Sequence, residues 1–536
     1  MKRSLLFILA AMFSLYSRAQ DRPKLVVGIV VDQMRWDFLY RYSERYGPDG
    51  FKRLLKDGFS CENALVPFTP TYTAAGHSCV YTGSVAAFHG ILGNSWYNRY
   101  QKRMVYCTED STVQTVGSTS TAGKMSPANM WSNTITDELK LAQNFRNKTV
   151  AISLKDRGAI LPGGHTADAA YWFDNASGGW ITSSFYMAEL PAWAKTFNER
   201  KLPDAYLGKN WNTLFPVATY KQSTADSTLY EGKLPREDFT FPHITNNLTI
   251  SRYDAFRYTP HANTYTFDMA RATIENENMG KVGTTDFLAI SFSTPDYIGH
   301  TFGPNSIEIE DTYLRLDKDL GVFLKFLDAK IGKGQYLVFL TADHGVAHNP
   351  RFMRDHRMPA GALDDALIRQ QVNDSIQKYF GVPGVIEQVI NYQVYLNNDV
   401  ISQSKSDRSA LKQYIISTLH RYPGIAAAYD LTDLKSQTIP QQLREMLTNG
   451  YNQKLSGDIQ FIFKPNWFDG WETGTSHGTW NPYDTHIPLV WYGWKVKPGR
   501  LTREVYMTDI AATLAAMLKI QMPNASIGKV IEEVGK

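Results

Sequence analysis

Apolar and β-branched residues are bunched along this chain into short unbroken runs, between stretches where apolar positions recur every three or four residues. The clearest runs span residues 25–31, 149–154, 287–292, 336–341, 459–463 and 487–491. Runs without an alternating polar face predict strands buried on both sides, as in a parallel sheet covered by helices. Helical spacing is plainest after Asp311, where Tyr313, Leu316, Leu320, Phe323, Leu324 and Leu327 share a face ahead of Gly332. A second helix is predicted over residues 508–518, with Ile510, Leu514, Met517 and Leu518 on one side and Thr508 as N-cap. The alternation predicts an α/β fold: a mostly parallel central sheet with helices on both faces. Residues 160–275, rich in Tyr, Trp, Asn, Gly and Pro, and residues 360–450 break the rhythm. Both read as insertions into one core, capping the edge where ligands bind.

The N-terminus changes this picture. Lys2 and Arg3 precede the apolar stretch 5–13, and Ser17-Arg18-Ala19 offers small residues at the −3 and −1 positions of a cleavage site. Residues 1–19 therefore read as a secretory signal peptide, and residues 20–536 as a single domain. No other apolar run approaches the roughly 20 residues a membrane span needs. Loss of Lys2, Arg3 and Arg18 takes the formal charge from +4 to +1, which removes any case for nucleic-acid binding. Cys61, Cys79 and Cys107 match no zinc-ribbon or redox spacing; an oxidising compartment permits one disulfide and one thiol among them.

Candidate chemistry gathers at the ends of the runs. Asp32 closes the first, Asp296-Tyr-Ile-Gly-His300 follows the third, Asp343-His344 follows the fourth, and His477 lies in the Gly-flanked loop 474–478. Carboxylate oxygen and neutral imidazole nitrogen are zinc donors, and open parallel sheets bind ligands at the carboxyl ends of their strands. His486 competes with His477 but opens an apolar run; His77, His89 and His348 read as structural. In the segment 67–78, Thr73 stands where a loop enters a helix, so its hydroxyl is either an N-cap or a nucleophile beside the positive helix end. Lys155 and Arg157, two apart at the end of the 149–154 run, are expected to project together from an extended segment with Asp156 turned away. Two cations beside a metal site suit a dianion, and Arg adds a fork for phosphate oxygens. Asn94 is a neutral donor for the same group.

Taken in order, Val30-Val-Asp32-Gln-Met, Thr71-Tyr-Thr73-Ala-Ala-Gly-His-Ser, Asp296-x-x-x-His300, Thr341-Ala-Asp343-His344-Gly and Ser476-His477-Gly resemble the alkaline phosphatase superfamily, in its two-zinc, threonine-nucleophile branch shared with nucleotide pyrophosphatase/phosphodiesterases. Leu154-Lys155-Asp-Arg157-Gly-Ala resembles the phosphate-irrepressible (PafA-type) alkaline phosphatases within it. The resemblance implies two Zn²⁺ per chain, one held by Asp296, His300 and His477, the other by Asp32, Asp343 and His344 with Thr73. It implies that Thr73 forms a phosphothreonine intermediate, and that Asn94, Lys155 and Arg157 bind phosphoryl oxygens. The expected enzyme is a monomeric, periplasmic or secreted alkaline phosphatase of broad range, acting on small-molecule phosphate monoesters. A phosphodiesterase using the same metals is the alternative. None of the cysteines stands in the Cys-x-Pro-x-Arg context of a sulfatase nucleophile.

Overall fold

Five of the six predicted runs become strands of one ten-stranded sheet. The computed structural model describes residues 22–232, 240–245 and 252–535, so the predicted leader, residues 1–19, lies outside the described residues. The sheet contains β1 (Leu25–Val31), β2 (Phe59–Cys61), β3 (Thr115–Val116), β4 (Thr149–Ser153), β5 (Ala169–Asp174), β6 (Gly179–Ser183), β7 (Asp286–Phe292), β8 (Tyr336–Thr341), β9 (Leu489–Gly493) and β10 (Gly499–Leu501). Their order is β10-β2-β9-β8-β1-β7-β4-β5-β6-β3.

The sheet has the parallel centre expected, with antiparallel pairings toward its edges. β8, β1, β7, β4 and β5 run parallel through the centre, whereas β9 pairs antiparallel with β8 and β2, and β6 with β5 and β3. The cause is visible at β5–β6: only residues 175–178 join them, enough for a hairpin and far too few for a parallel crossover. These two strands also carry residues 169–183 into the main sheet, out of the stretch expected to be an insertion. The central strands are wholly buried, which is why they read as continuous apolar runs.

Register brings the strand ends level. Val31 pairs with Phe292, Val30 with Thr341, and Ser291 with Ser153, so β8, β1, β7 and β4 terminate along one line. Helices leave that line. α1 (Thr73–Thr82) starts close by, α2 (Asp156–Gly163) follows β4, α3 (Thr294–Phe302) follows β7, and α4 (Ile307–Leu327) packs its buried stripe Tyr313, Leu316, Leu320, Phe323, Leu324 and Leu327 into the core. α4 begins ahead of Asp311 because Ser306 caps it, accepting from Ile309 N–H at 3.2 Å. The predicted C-terminal helix, α5 (Asp509–Leu518), exists, but Thr508 does not cap it with its side chain. Asp509 ties down its entry instead, accepting from the N–H groups of Tyr506 and Lys529.

Residues 459–463 form a strand, though outside the main sheet. Ile459–Phe463 joins Ile386–Ile390, Gln393–Leu396 and Ile425–Asp430 in a separate four-stranded sheet. Helices Asp365–Phe380 and Arg408–Leu419 share its own apolar cluster, which includes Val372, Val394, Leu411, Ile415 and Phe461. An apolar run reports burial without saying in which core. Cys61, Cys79 and Cys107 are all buried free thiols. No helix among the described residues is long and apolar enough to cross a membrane.

Asp311 on α4 fastens the segment 211–220 to the core. Its carboxylate accepts from Trp211 Nε1 at 2.8 Å, Leu214 N–H at 2.6 Å, Tyr220 OH at 2.5 Å and Arg315 Nε at 2.6 Å. Asp311→Ala leaves buried donors without an acceptor, a loss of about 3 kcal/mol. The expected outcome is a lower thermal midpoint and faster proteolysis near residues 211–220; unchanged cleavage there would refute the anchoring role.

Candidate active site

The level strand ends place four ionisable groups side by side. Asp343 follows β8, Asp32 follows β1, Asp296 lies in the first turn of α3 after β7, and Lys155 follows β4. α1 reaches the same point because Gly76 lets it approach β8: a Cβ there would stand 2.4 Å from Asp343 O. Thr73 is the first residue of α1 and makes no capping bond, so the N-cap alternative does not hold. Its Oγ1 lies 3.4 Å from His344 Nε2.

Two groups of donors result. In one, Asp296 Oδ1 is 3.2 Å from His300 Nε2 and 3.8 Å from His477 Nε2. In the other, His344 Nε2 is 3.6 Å from Asp32 Oδ1 and 3.5 Å from Asp343 Oδ2. Ligand atoms of Asp32, Asp296 and His344 also lie within 4.8 Å of one another, so Asp296 borders both groups. All three imidazoles are oriented alike. Nδ1–H of His300 donates to Thr475 O (2.9 Å), of His344 to Gly345 O (2.9 Å) and of His477 to Thr71 O (2.7 Å). A carbonyl only accepts, so each ring keeps its proton on Nδ1 and presents the Nε2 lone pair.

The donor set fits divalent cations. Asp32 Oδ1 and Asp343 Oδ2 are buried with no hydrogen-bond partner. Burial lifts the Asp32 carboxyl far above its ordinary range, with Asp296 and Asp343 adding to the effect. Burial also opposes ionisation of Asp296 and Asp343, yet Lys155 and His300 for the first, and His344 and His77 for the second, hold both below the carboxylate range. Burial keeps His477 and His344 neutral, the ligand form. Three carboxylates face one ammonium, and a buried negative excess of that kind is what bound cations neutralise.

Lys155 and Arg157 sit differently from expectation. β4 ends at Ser153, Lys155 occupies the N-cap position of α2, and Arg157 is already helical. The residues after the strand turn into a helix, so the two-residue alternation does not apply. Lys155 Nζ bridges Asp32 Oδ2 (2.6 Å) and Asp296 Oδ2 (2.5 Å), over the Tyr297 ring at 5.0 Å. Asp156 faces inward: it accepts from Tyr106 OH (2.7 Å) and Thr108 Oγ1 (3.0 Å), and Tyr106 OH accepts from Arg157 Nη1 (3.1 Å). Asn94 Oδ1 accepts from Ala74 N–H at 3.1 Å, which leaves the NH₂ end of the amide for a ligand.

His486 is remote from both groups, donating to Glu62 O at 2.8 Å and stacking on Trp36. His77, read as structural, touches the site: Nδ1 is 2.9 Å from Thr73 O and 3.3 Å from Asp343 Oδ2. Its place one helical turn after Thr73 is the signal that could have found it. Gln33 and Tyr297 also border the site, the first on Asp296 and the second beneath Lys155, and each directly follows a ligand candidate in the sequence.

Lys155 is the ammonium that bridges Asp32 and Asp296. Lys155→Met should destabilise the chelator-treated protein by about 3 to 5 kcal/mol, with most of the loss recovered on adding Zn²⁺. Equal thermal midpoints for variant and wild type in chelator would sink this reading of the charge balance.

Known proteins resemble this chain along nearly its whole length. The sequence model of the type I phosphodiesterase / nucleotide pyrophosphatase family matches residues 26–484. The chain is 49% identical over 526 residues to alkaline phosphatase PhoV of Synechococcus elongatus, covering 98% of this chain and 95% of that protein. A Myroides odoratus protein named calcium-transporting ATPase is 50% identical over 525 residues, 97% of this chain and 96% of that one. Alkaline phosphatase PafA of Elizabethkingia meningoseptica is 45% identical over 525 residues, 97% of this chain and 95% of that one. A crystal structure of PafA matches with a TM-score of 0.93, covering 96% of this chain and 99% of that one. A PafA variant, with a threonine changed to serine and an asparagine, a lysine and an arginine to alanine, matches with a TM-score of 0.94 at 44% identity, with the same coverage. With its family model spanning most of the sequence and relatives near half identity along nearly all of it, this chain belongs to the type I phosphodiesterase / nucleotide pyrophosphatase family, within the alkaline phosphatase superfamily.

Proposed function

We propose that the chain is an exported, two-zinc alkaline phosphatase that hydrolyses small-molecule phosphate monoesters through a phosphothreonine intermediate. It would act as a monomer with a broad substrate range, in the periplasm or outside the cell, after loss of residues 1–19. The observation that carries this reading is the uncapped Thr73 hydroxyl, 3.4 Å from His344 Nε2, beside the carboxylates that Lys155 bridges. A nucleophile at a helix start would meet a dianion there, and Lys155 with Arg157 would suit its three non-bridging oxygens. Asp296, His300 and His477 would hold one Zn²⁺, and Asp32, Asp343 and His344, with Thr73, the other. When bound, the ions supply Lewis acidity that favours the Thr73 alkoxide and stabilises the leaving oxygen.

The chain's own residues perform the remaining tasks. Thr73 Oγ1 attacks phosphorus as the ester oxygen departs on the opposite side, and water then cleaves the P–Oγ bond to release phosphate. The NH₂ of Asn94, Lys155 Nζ and the Arg157 guanidinium bind the phosphoryl oxygens. Tyr106 and Asp156 orient that guanidinium. The names of PhoV and PafA support monoester chemistry. So does the PafA variant, whose four altered residue types are those of Thr73, Asn94, Lys155 and Arg157. The name of the Myroides odoratus relative speaks of ATP hydrolysis. The terminal phosphoryl of ATP is also a group with three non-bridging oxygens, open to the same nucleophile.

The family's description favours a second reading, a phosphodiesterase using the same donors. A diester carries an alkyl or aryl group on one of the oxygens that the cations would bind, so the readings separate on specificity. Wild type should prefer an aryl phosphate monoester over its methyl diester in kcat/KM. In the Lys155→Ala/Arg157→Ala variant the monoester value should fall roughly 100-fold or more, with little change for the diester. Thr73→Ala should lose the acid-trapped phosphoenzyme. A diester preference that survives the double substitution would make the protein a phosphodiesterase.

A further inference from the structure

Gln33 directly follows Asp32, is 2% exposed, and has φ of 67°, in the left-handed region that non-glycine residues avoid. The conformation lets one residue reach two strands at once. Its backbone N–H donates to Asp343 Oδ1 at 3.1 Å, beyond β8 on one side of β1. Its side-chain Nε2 donates to Asp296 Oδ1 at 2.8 Å, beyond β7 on the other. That Asp296 oxygen is also the one that faces His300 and His477. Gly299, within Asp296-Tyr-Ile-Gly-His300, makes room for the amide: a Cβ at 299 would stand 1.9 Å from Gln33 Oε1.

We infer that Gln33 is a positioning residue that fixes the Asp296 and Asp343 carboxylates relative to each other, and so sets the two groups of cation ligands in register, with Gly299 admitting its amide. The inference rests on the two-cation reading above. It deepens it, because the two bonds divide the labour. The backbone N–H remains on Asp343 whatever side chain stands at 33, whereas only glutamine's amide steadies Asp296. A carboxylate held by such a bond is pre-aimed at its ion, and loss of an outer partner of this kind typically costs 10- to 100-fold in metal affinity. The backbone strain is retained at a site where it serves the geometry.

The test uses full-length protein loaded with Zn²⁺: wild type, Gln33→Gly, Gly299→Ala and the double variant. Zinc per chain is counted after equilibration with graded concentrations of a chromophoric chelator, and kcat and KM are measured alongside. Glycine at 33 accepts φ of 67° without strain, so the amide is removed while the backbone bond to Asp343 is kept. The expected result for Gln33→Gly is selective: one zinc weakens about 10- to 100-fold, the other holds, and kcat falls more than KM changes. Gly299→Ala, which displaces the amide and leaves residue 33 intact, should reproduce that pattern and covers the case of a poorly folded Gln33→Gly. In the double variant Gly299→Ala should add nothing, since the added methyl no longer has an amide to displace. Two zinc ions held with wild-type affinity in Gln33→Gly, or independent additive losses from the two substitutions, would overturn the role of Gln33 and leave the two-zinc reading standing. A wild-type chain that binds no zinc would instead overturn the two-zinc reading, and the role of Gln33 with it.

Discussion

Three carboxylates buried at the ends of three neighbouring strands are the constraint around which this protein is arranged. Asp32, Asp296 and Asp343 are each almost entirely shielded from solvent, and Lys155 is the ammonium that reaches two of them. Like charges in a medium of low polarity raise one another's free energy steeply. The fold tolerates the arrangement by surrounding the carboxylates with directed donors: Lys155 Nζ, Gln33 and the Asp343–His344 turn. Two oxygens are still left without a partner. An arrangement that costs stability in metal-free protein is the price of a strong cation site.

Much of the surrounding structure holds that site still. The loop with His477 is fixed from several directions: His477 Nδ1–H donates to Thr71 O, Thr475 N–H to His300 O, and Ala347 N–H to Ser476 O. Tyr392, in the turn between Ile386–Ile390 and Gln393–Leu396 of the separate sheet, donates its hydroxyl to His477 O at 2.6 Å. Asn391 beside it donates to Ser95 O, next to Asn94. The stretch expected to be the second insertion thus touches both the loop that carries His477 and the segment that carries Asn94. From the first, Arg257 donates to Tyr297 OH at 2.8 Å, and the ring of Tyr297 lies beneath Lys155.

On the proposed reading, monoester and diester chemistry would differ by the surroundings of the phosphoryl oxygens rather than by the metal ligands. Lys155 and Arg157 arise from the β4–α2 junction, a segment separate from every metal-ligand candidate. On the same reading, specificity would be set at that junction while the level line of strand ends stays as it is. Such a division would account for one family description that names phosphodiesterases while relatives carry the name alkaline phosphatase.

The sequence by itself determined the central strands, the helix through Tyr313 and Leu327, and the ten candidate residues of the site. It did so because fully buried strands must be apolar throughout, and because chemistry at strand ends leaves Asp, His and Thr at abrupt boundaries of those runs. Local pattern also erred where neighbours intervene. Residues 459–463 look like a core strand and belong to another sheet, since apolarity does not name the partner. Lys155 and Arg157 look extended, but the chain turns helical between them and Asp156 faces inward. Only the tertiary structure decided that β8, β1, β7 and β4 end level, that Asp296 borders both donor groups, and that Gln33 spans them. Those are facts of register, of helix approach at Gly76 and of a left-handed backbone. They depend on contacts between residues hundreds of positions apart, to which no local pattern of hydrophobic and polar residues is sensitive.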